Sequence, residues 1–434
     1  MDCMGTGVMR VTIQPGAIRG VISAIPSKSQ LHRLLICAAL GEGETLIRGG
    51  VTQGEDILAT RRCLEALGAE IWEEGADLRL RPIARACLPQ DPLLDCGESG
   101  STLRFLLPVV AALGCEGTFL MAGRLPQRPM EALENQLLDH GCEIIRPTEN
   151  RLFVQGKLEP GEYHLPGNVS SQYITGLLLA LPLLAGDSRL TVTGPVESED
   201  YIEMTLQAQT TFGICHEKRG NIYEIMGGRP GVSPGSLRAE GDWSNGAFWL
   251  CAGAMPAGAV TCRGPLADSA QGDRRVLDCL REMGTILRSE GESLTAAEGA
   301  RQGVVIDAAA IPDLIPPLAA VAAVGDGVTQ IINAGRLRLK ESDRLRAVAQ
   351  TLNALGANVQ EEPEGLRIEG VPYLRGGTVD SWGDHRIAMM AAIASAACRE
   401  PVTVENAQAV SKSYPGFWED LQSLGKNLTK EEGP

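Results

Sequence analysis

Aromatic residues are scarce in this sequence, at 4% of 434 residues, and only five histidines are present. A core with so few rings must be built from aliphatic and small side chains, and 51 glycines point to many tight turns. No two of the twelve cysteines are closer than nine residues, so no CxxC pair exists and a zinc or redox motif of that kind is excluded. Scattered from Cys3 to Cys398, they read as small core residues of a reducing compartment. Long apolar runs are missing too. The longest, ITGLLLALPLLAG (174–186), has 13 residues and contains Pro182, short of the ~20 needed to span a bilayer. The opening MDCMGTGVMRVTIQPG has no charged stretch followed by an apolar one, so it is not read as a secretory signal. Positive charge is in deficit: 39 Lys+Arg stand against 54 Asp+Glu, a formal charge of −15. Such a chain repels a polyanion at long range. The expectation is a cytoplasmic protein with no nucleic-acid or membrane partner, in which any phosphate site is made by a local cluster of basic residues.

What the sequence does contain is a repeat. A helix-like stretch, a glycine and then an apolar residue recur in LEALGAEI (64–71), LLDHGCEI (137–144), QTTFGICH (209–216), LREMGTIL (280–287), LNALGANV (352–359) and LQSLGKNL (421–428). The glycines, Gly68, Gly141, Gly213, Gly284, Gly356 and Gly425, are separated by 73, 72, 71, 72 and 69 residues. At each, a helix is expected to end on a left-handed glycine and a strand to follow. DILATRRCLEAL (56–67) and DRLRAVAQTLNAL (343–355) carry apolar residues at helical spacing, and DLRLRP and GLRIEGV read as strands. Helix–glycine–strand punctuation is common in α/β proteins, but ordinary loops do not keep so even a spacing. A period near 70 exceeds that of a solenoid and suits six small α/β units, split three and three at the Gly-, Pro- and Ser-rich stretch 227–244.

Eight segments carry residues suited to anionic ligands. PSKSQLHR (26–33) offers Lys28, Ser29 as a helix N-cap, and Arg33 one turn further on. DCGESGSTLRF (95–105) sets Gly97 and Gly100 around small polar residues ahead of Arg104, without the GK[ST] ending of a Walker loop. GRLPQRPM (123–130) carries Arg128. GNVSSQYITGLL (167–178) places Ser170, Ser171 and Gln172 before an apolar helix, and VESEDY (196–201) adds Ser198 and Tyr201. IPDLIPPL (311–318) holds Asp313 in apolar surroundings, as a cap or as a base with a raised pKa. RLRLKESDRL (336–345) puts Lys340 and Arg344 one turn apart with Glu341 between them. GDHRIAM (383–389) places Arg386 in the first turn of a helix that Asp384 can cap. A cation there opposes the macrodipole and calls for a compensating anion. SKSYPGF (411–417) contributes Lys412. Each segment alone also reads as a capped or salt-bridged surface helix. Turned toward one cleft, Lys28, Arg33, Arg104, Arg128, Lys340, Arg344, Arg386 and Lys412 would suit two small anions together.

These motifs, in this order and over nearly the whole chain, resemble the EPSP synthase family of enolpyruvyl transferases. The resemblance implies an α/β fold of two similar domains, each of three βαβαββ units around inward helices. It places 21–239 in one domain and 1–20 with 240–434 in the other, with a hinge near 20 and 240. It implies transfer of the carboxyvinyl group of phosphoenolpyruvate to the 5-hydroxyl of shikimate 3-phosphate by a monomer, with domain closure and with no metal or organic cofactor. By resemblance, shikimate 3-phosphate is held by Lys28, Ser29, Arg33, Ser170, Ser171, Gln172, Ser198, Tyr201, Asp313 and Lys340. Phosphoenolpyruvate is held by Lys28, Gly100, Arg128, Gln172, Arg344, Arg386 and Lys412. Asp313 would be the base, Glu341 the proton donor, and Lys28 an aid to proton transfer. An unobstructed Gly100 implies sensitivity to glyphosate.

Glu98 and Arg336 depart from the family pattern, each standing where Asn is common. The related UDP-N-acetylglucosamine carboxyvinyltransferases usually carry a reactive cysteine in the loop matching 121–130, and MAGRLPQRPM has none. A binding protein that had lost catalysis should lack the acid–base pair, yet Asp313 and Glu341 are both present.

Overall fold

The structure is a computed structural model that describes residues 8–264 and 269–433. Cys3 and the start of the 1–20 segment lie outside the described residues. The chain divides into two compact units, residues 26–240 and residues 1–25 with 241–434.

In the 26–240 unit the helices are α1 (Lys28–Leu40), α2 (Glu55–Ala66), α3 (Gly100–Leu113), α4 (Glu131–Asp139), α5 (Ser171–Ala180) and α6 (Glu199–Thr211). In the other unit they are α7 (Trp243–Ala254), α8 (Val276–Glu282), α9 (Ile315–Ala322), α10 (Arg344–Ala354), α11 (His385–Ala394) and α12 (Phe417–Ser423). Two kinds of helix alternate. The odd-numbered ones are apolar nearly all round and almost wholly buried, as helices at the centre of a core must be. The even-numbered ones bury one face, and each ends two residues before a repeat glycine. All six glycines have positive φ, from 70° at Gly213 to 99° at Gly68, so the left-handed stop expected at each is present.

Each unit holds three four-stranded sheets of one pattern. The sheet of Leu93–Asp95, Gly117–Leu120, Arg151–Gly156 and Cys142–Thr148 is representative. Its first two strands are parallel and its other neighbours antiparallel. The parallel pair is joined through a buried helix, here α3, because such a crossover cannot be made by a tight turn. The antiparallel hairpin follows α4 and Gly141. Six βαβαββ repeats result, in agreement with the expected α/β class.

The repeats are cyclically closed within each unit. Ser236–Arg238, the last strand of its unit, pairs in parallel with Thr45–Arg48, the first. Arg19–Ser23 likewise pairs with Ala259–Arg263, while Met9–Ile13 completes the sheet of Val402–Glu405 and Leu428–Glu432. The chain's first described strands therefore belong with its C-terminal half.

Eight of the described cysteines are buried, and Cys87 and Cys215 are exposed, so two depart from the expected core role. Both lie outside the packed helices, on a short 3-10 turn and on the loop after Gly213.

Helices α3 and α5 approach closely at Gly176, where a Cβ would run into the carbonyl oxygen of Arg104 and lie 3.0 Å from Pro108 Cγ. Gly176→Ala gains helix propensity but forces the two helices apart. A net loss of ~1–3 kcal/mol is expected, read as a lower urea midpoint with an unchanged slope.

Candidate active site

In the 26–240 unit the candidate residues lie at the starts of α1, α3, α5 and α6. Helix α1 begins at Lys28 and is capped by Ser27, whose Oγ accepts from the Gln30 amide at 3.3 Å. The cap expected at Ser29 is therefore two residues too late. Pro26 fixes the chain just before Ser27, and Ser29 is already helical. Lys28 Nζ pairs with Asp56 Oδ2 of α2 at 2.9 Å.

Arg33 is buried and serves as a hub. Its Nε donates to Thr205 (2.8 Å), Nη2 to the Tyr201 carbonyl (2.8 Å) and to Thr175 (3.3 Å), and Nη1 to the Ser29 carbonyl (2.6 Å). One guanidinium thereby fixes α1 against α5 and α6, and holds the backbone of Ser29 and Tyr201. Ser170 caps α5 through the Gln172 amide at 3.3 Å, as expected. Ser198 precedes α6 with a positive φ of 56° and is buried.

Ser99 caps α3 through Thr102, which puts Gly100 at its first residue. A Cβ on Gly100 would sit 2.7 Å from Arg128 Nη1 and 3.2 Å from Arg104 Nη1, so two guanidinium groups close over this glycine. Arg104 donates to Gln172 Oε1 at 2.6 Å and to the Pro129 carbonyl at 3.0 Å, and Gln172 Nε2 donates to Ser101 at 2.9 Å. Gly100, Arg104, Arg128 and Gln172 thus form one patch. Glu98, the acid in the preceding loop, lies against Gly123, where any Cβ would collide with its carboxylate.

In the other unit a second cluster forms around Arg344, whose side chain is 1% exposed. Its Nε donates to Asp384 at 2.8 Å, Nη1 to Asp313 at 2.6 Å and Nη2 to Glu341 at 2.7 Å. Arg386 Nη2 lies 3.1 Å from Asp313 Oδ2 and its Nη1 donates to the Asp313 carbonyl at 3.2 Å. The anion that Arg386 requires at a helix N-terminus is thus Asp313, together with Asp384, which caps α11 through the Arg386 amide at 3.0 Å. Lys340 Nζ is 3.8 Å from Asp313. Lys412 is buried at the end of the 3-10 turn Ala407–Lys412.

Asp313 lies in the 3-10 turn Pro312–Leu314 and caps no helix. Burial would push its carboxyl up, but Arg386, Lys340 and Arg344 together hold it well below the ordinary carboxylate value. The raised pKa considered for it is therefore corrected, because three cations outweigh desolvation. Burial takes Lys340 down to about 8. Behind Asp313 stands Asp273, pushed up to about 7 by burial and by the Asp313 charge, its Oδ2 accepting from Ser244. Two carboxyls of one unit are therefore shifted in opposite directions.

The structure adds residues that the sequence patterns did not mark. Asp56 is the counter-ion of Lys28, Thr175 and Thr205 hold Arg33, and Asp273 feels the charge of Asp313. Each is a polar residue within an otherwise buried face, and that misplacement is the one signal that could have found them.

Known proteins of one family are similar to this chain along nearly its whole length. The family model described as EPSP synthase (3-phosphoshikimate 1-carboxyvinyltransferase) matches residues 13–421. The chain is 43% identical over 421 residues to the 3-phosphoshikimate 1-carboxyvinyltransferase of Clostridium kluyveri, covering 96% of this chain and 98% of that protein. It is 42% identical over 422 residues to that of Clostridium acetobutylicum, covering 96% and 98%. Among solved structures, EPSP synthase from Acinetobacter baumannii superposes with a TM-score of 0.80 at 25% identity, covering 98% of this chain and all of that one. The enolpyruvyl transferase NikO from Streptomyces tendae shares the fold, with a TM-score of 0.79 at 22% identity and coverage of 99% and 100%.

His32, in α1, supplies a pH test of this geometry. Burial lowers its pKa from 6.5 to about 3, with Lys28 and Arg33 adding to that and Asp56 opposing it. Between those values the unfolded chain binds a proton that the folded chain refuses. Stability is therefore full above pH 6.5 and falls as pH drops toward 3. The loss is ~1.4 kcal/mol per pH unit over that window. In His32→Asn, the stability lost between pH 7 and pH 5 in urea titrations should shrink by about 2 kcal/mol relative to wild type. Equal losses in both proteins would show that the imidazole is not buried in its neutral form.

Proposed function

The chain belongs to the EPSP synthase family, and on that premise we propose how its residues divide the work of the family's reaction. The enzyme transfers the carboxyvinyl group of phosphoenolpyruvate to the 5-hydroxyl of shikimate 3-phosphate and releases phosphate, in chorismate and aromatic amino-acid biosynthesis. Its substrates are small molecules. Among the described residues no helix is long and apolar enough to cross a membrane, and we assign the enzyme to the cytoplasm as a monomer.

Shikimate 3-phosphate is assigned to Lys28, Ser29, Arg33, Ser170, Ser171, Gln172, Ser198 and Tyr201, with Lys340 and Asp313. Phosphoenolpyruvate is assigned to Lys28, Gly100, Arg128 and Gln172, with Arg344, Arg386 and Lys412. Both substrates carry phosphate, so cations must offset their mutual repulsion, and guanidinium forks suit phosphate and carboxylate oxygens. Two of the three carboxylates around Arg344 have a role in the chemistry. Asp313 takes the proton of the 5-hydroxyl, whose oxygen bonds to C2 of phosphoenolpyruvate. Glu341 delivers a proton to C3, and Lys28 assists proton transfer. Loss of a C3 proton and departure of phosphate from C2 then restore the double bond as an enol ether.

The observation that carries this reading is the Arg344–Asp313–Arg386 cluster. A base must be ionised before it can accept a proton, and these cations hold Asp313 ionised although only 16% of its side chain is exposed.

The test is phosphate release from phosphoenolpyruvate with and without shikimate 3-phosphate, with the product identified by mass. Release should require both substrates, and Asp313→Asn and Glu341→Gln should each lower kcat by roughly 10²–10⁴. Release with UDP-N-acetylglucosamine in place of shikimate 3-phosphate would mean that the acceptor is wrong.

A further inference from the structure

Beneath the Gly100 loop runs a buried polar chain with no part in the reaction above. His32 lies one turn beyond Lys28 on α1, and Thr60 one turn beyond Asp56 on α2. Lys28 Nζ meets Asp56 Oδ2 at 2.9 Å, and His32 Nδ1 meets Thr60 Oγ1 at 2.8 Å. The two helices are thus joined by two rungs spaced one turn apart. The first rung is charged and partly exposed. The second is uncharged and buried, with His32 1% and Thr60 0% exposed.

The second rung continues into a third helix. Thr60 Oγ1 lies 2.7 Å from Thr102 Oγ1 on α3. The Thr102 hydroxyl reaches Ser99 Oγ at 2.7 Å and the Asp56 carbonyl at 3.3 Å. Ser99 caps α3, and the next residue is Gly100. The chain therefore closes on both elements that flank it: the start of α3, and the residue that pairs with Lys28.

Each hydroxyl has one proton, so the chain has a direction. With His32 donating from Nδ1, Thr60 donates to Thr102, and Thr102 donates to Ser99 or to the Asp56 carbonyl. The protons of His32 Nδ1, Thr60 and Thr102 are then all used, and the ring atom left without a partner is His32 Nε2, an acceptor. The reverse direction would strand an N–H at Nε2, and orphaned buried donors are rarer than orphaned acceptors. Neither direction involves Arg33, which ties α1 to α5 and α6 through separate bonds.

We propose that Thr60 is a positioning residue for phosphoenolpyruvate, holding the start of α3 and the partner of Lys28 in one register through Thr102 and Asp56. This rests on the assignment of Lys28 and Gly100 to that substrate. Lys28 is assigned to both substrates, but Gly100 is assigned to phosphoenolpyruvate alone. The hydroxyl chain makes no hydrogen bond to the Arg33 side chain, whose own bonds run to α5 and α6, so its loss falls more heavily on phosphoenolpyruvate than on shikimate 3-phosphate.

The test compares Thr60→Val, which keeps the shape and removes the hydroxyl, with Thr60→Ser, which restores it. In Thr60→Val the KM for phosphoenolpyruvate should rise about tenfold while that for shikimate 3-phosphate stays within about twofold, and Thr60→Ser should recover most of the loss. An unchanged KM for phosphoenolpyruvate, equal rises for both substrates, or a serine variant as impaired as the valine one would each overturn the proposal. Should Thr60→Val not fold, the wild-type enzyme decides by imidazole ¹⁵N spectra. His32 should be protonated at Nδ1 only, and its Nδ1–H signal should move when phosphoenolpyruvate joins the shikimate 3-phosphate complex. A signal that does not move, or protonation at Nε2, overturns it. A wild-type protein that fails to turn over both substrates would instead refute the functional reading, which separates the two failures.

Discussion

An arginine cannot shed its charge, and Arg344 is buried almost completely. Everything around it follows from that constraint. Three carboxylates, Asp313, Glu341 and Asp384, meet its three nitrogens. Ser342 and the Arg386 amide in turn donate to Asp384. Removing one partner of such a buried group typically costs 3–5 kcal/mol, because the remaining charges are left uncompensated. Loss of any member of the cluster is therefore costly, and the cluster brings Asp313, proposed as the base, and Glu341, proposed as the proton donor, onto one guanidinium. An acidic chain of net charge −15 gathers cations for anionic substrates here by spending carboxylates to hold those cations in place.

The 26–240 unit solves the same problem differently. Arg33 is held by hydroxyls and carbonyls. These partners fix its guanidinium without neutralising it, so its positive charge stays available to a phosphate. Lys28, in contrast, is paired with Asp56. The two units thus share one architecture of six repeats and differ in how each balances its buried cations. In this assignment, acid–base chemistry falls to the unit whose buried Arg344 is held by carboxylates, and the other unit presents Arg33, held by neutral groups, to shikimate 3-phosphate.

Much of the fold was legible because its signals are local. A glycine at C′ is needed wherever a helix must stop on a left-handed residue, so six such stops at even spacing expose six repeats. The site segments were legible for a related reason, since Lys340, Glu341 and Arg344 lie within five consecutive residues. What stayed hidden depends on register between helices distant in sequence. Nothing in 55–66 says that Asp56 will face Lys28 or that Thr60 will meet His32, because a helical pattern defines a face and not its partner. The pairing of Asp384 with Arg344 was hidden in the same way, although its capping role was visible. Ser27 rather than Ser29 caps α1 because two neighbouring serines are equally good caps, and only the backbone path after Pro26 decides between them. The direction of the Asp313 shift was likewise undecided until Arg386 and Lys340 were placed beside it.

Asp313 is ionised in its pocket because Arg386, Lys340 and Arg344 hold it so. The direct measurement is the carboxyl ¹³C signal of Asp313 in the ligand-free enzyme, assigned by its disappearance in Asp313→Asn and followed from pH 8 to pH 4. The account predicts the chemical shift of a carboxylate throughout, with no titration step in that range. A midpoint at or above the ordinary aspartate value of ~3.9 would contradict it. Desolvation would then outweigh the cations, and the proton would have to be taken from the 5-hydroxyl by another group.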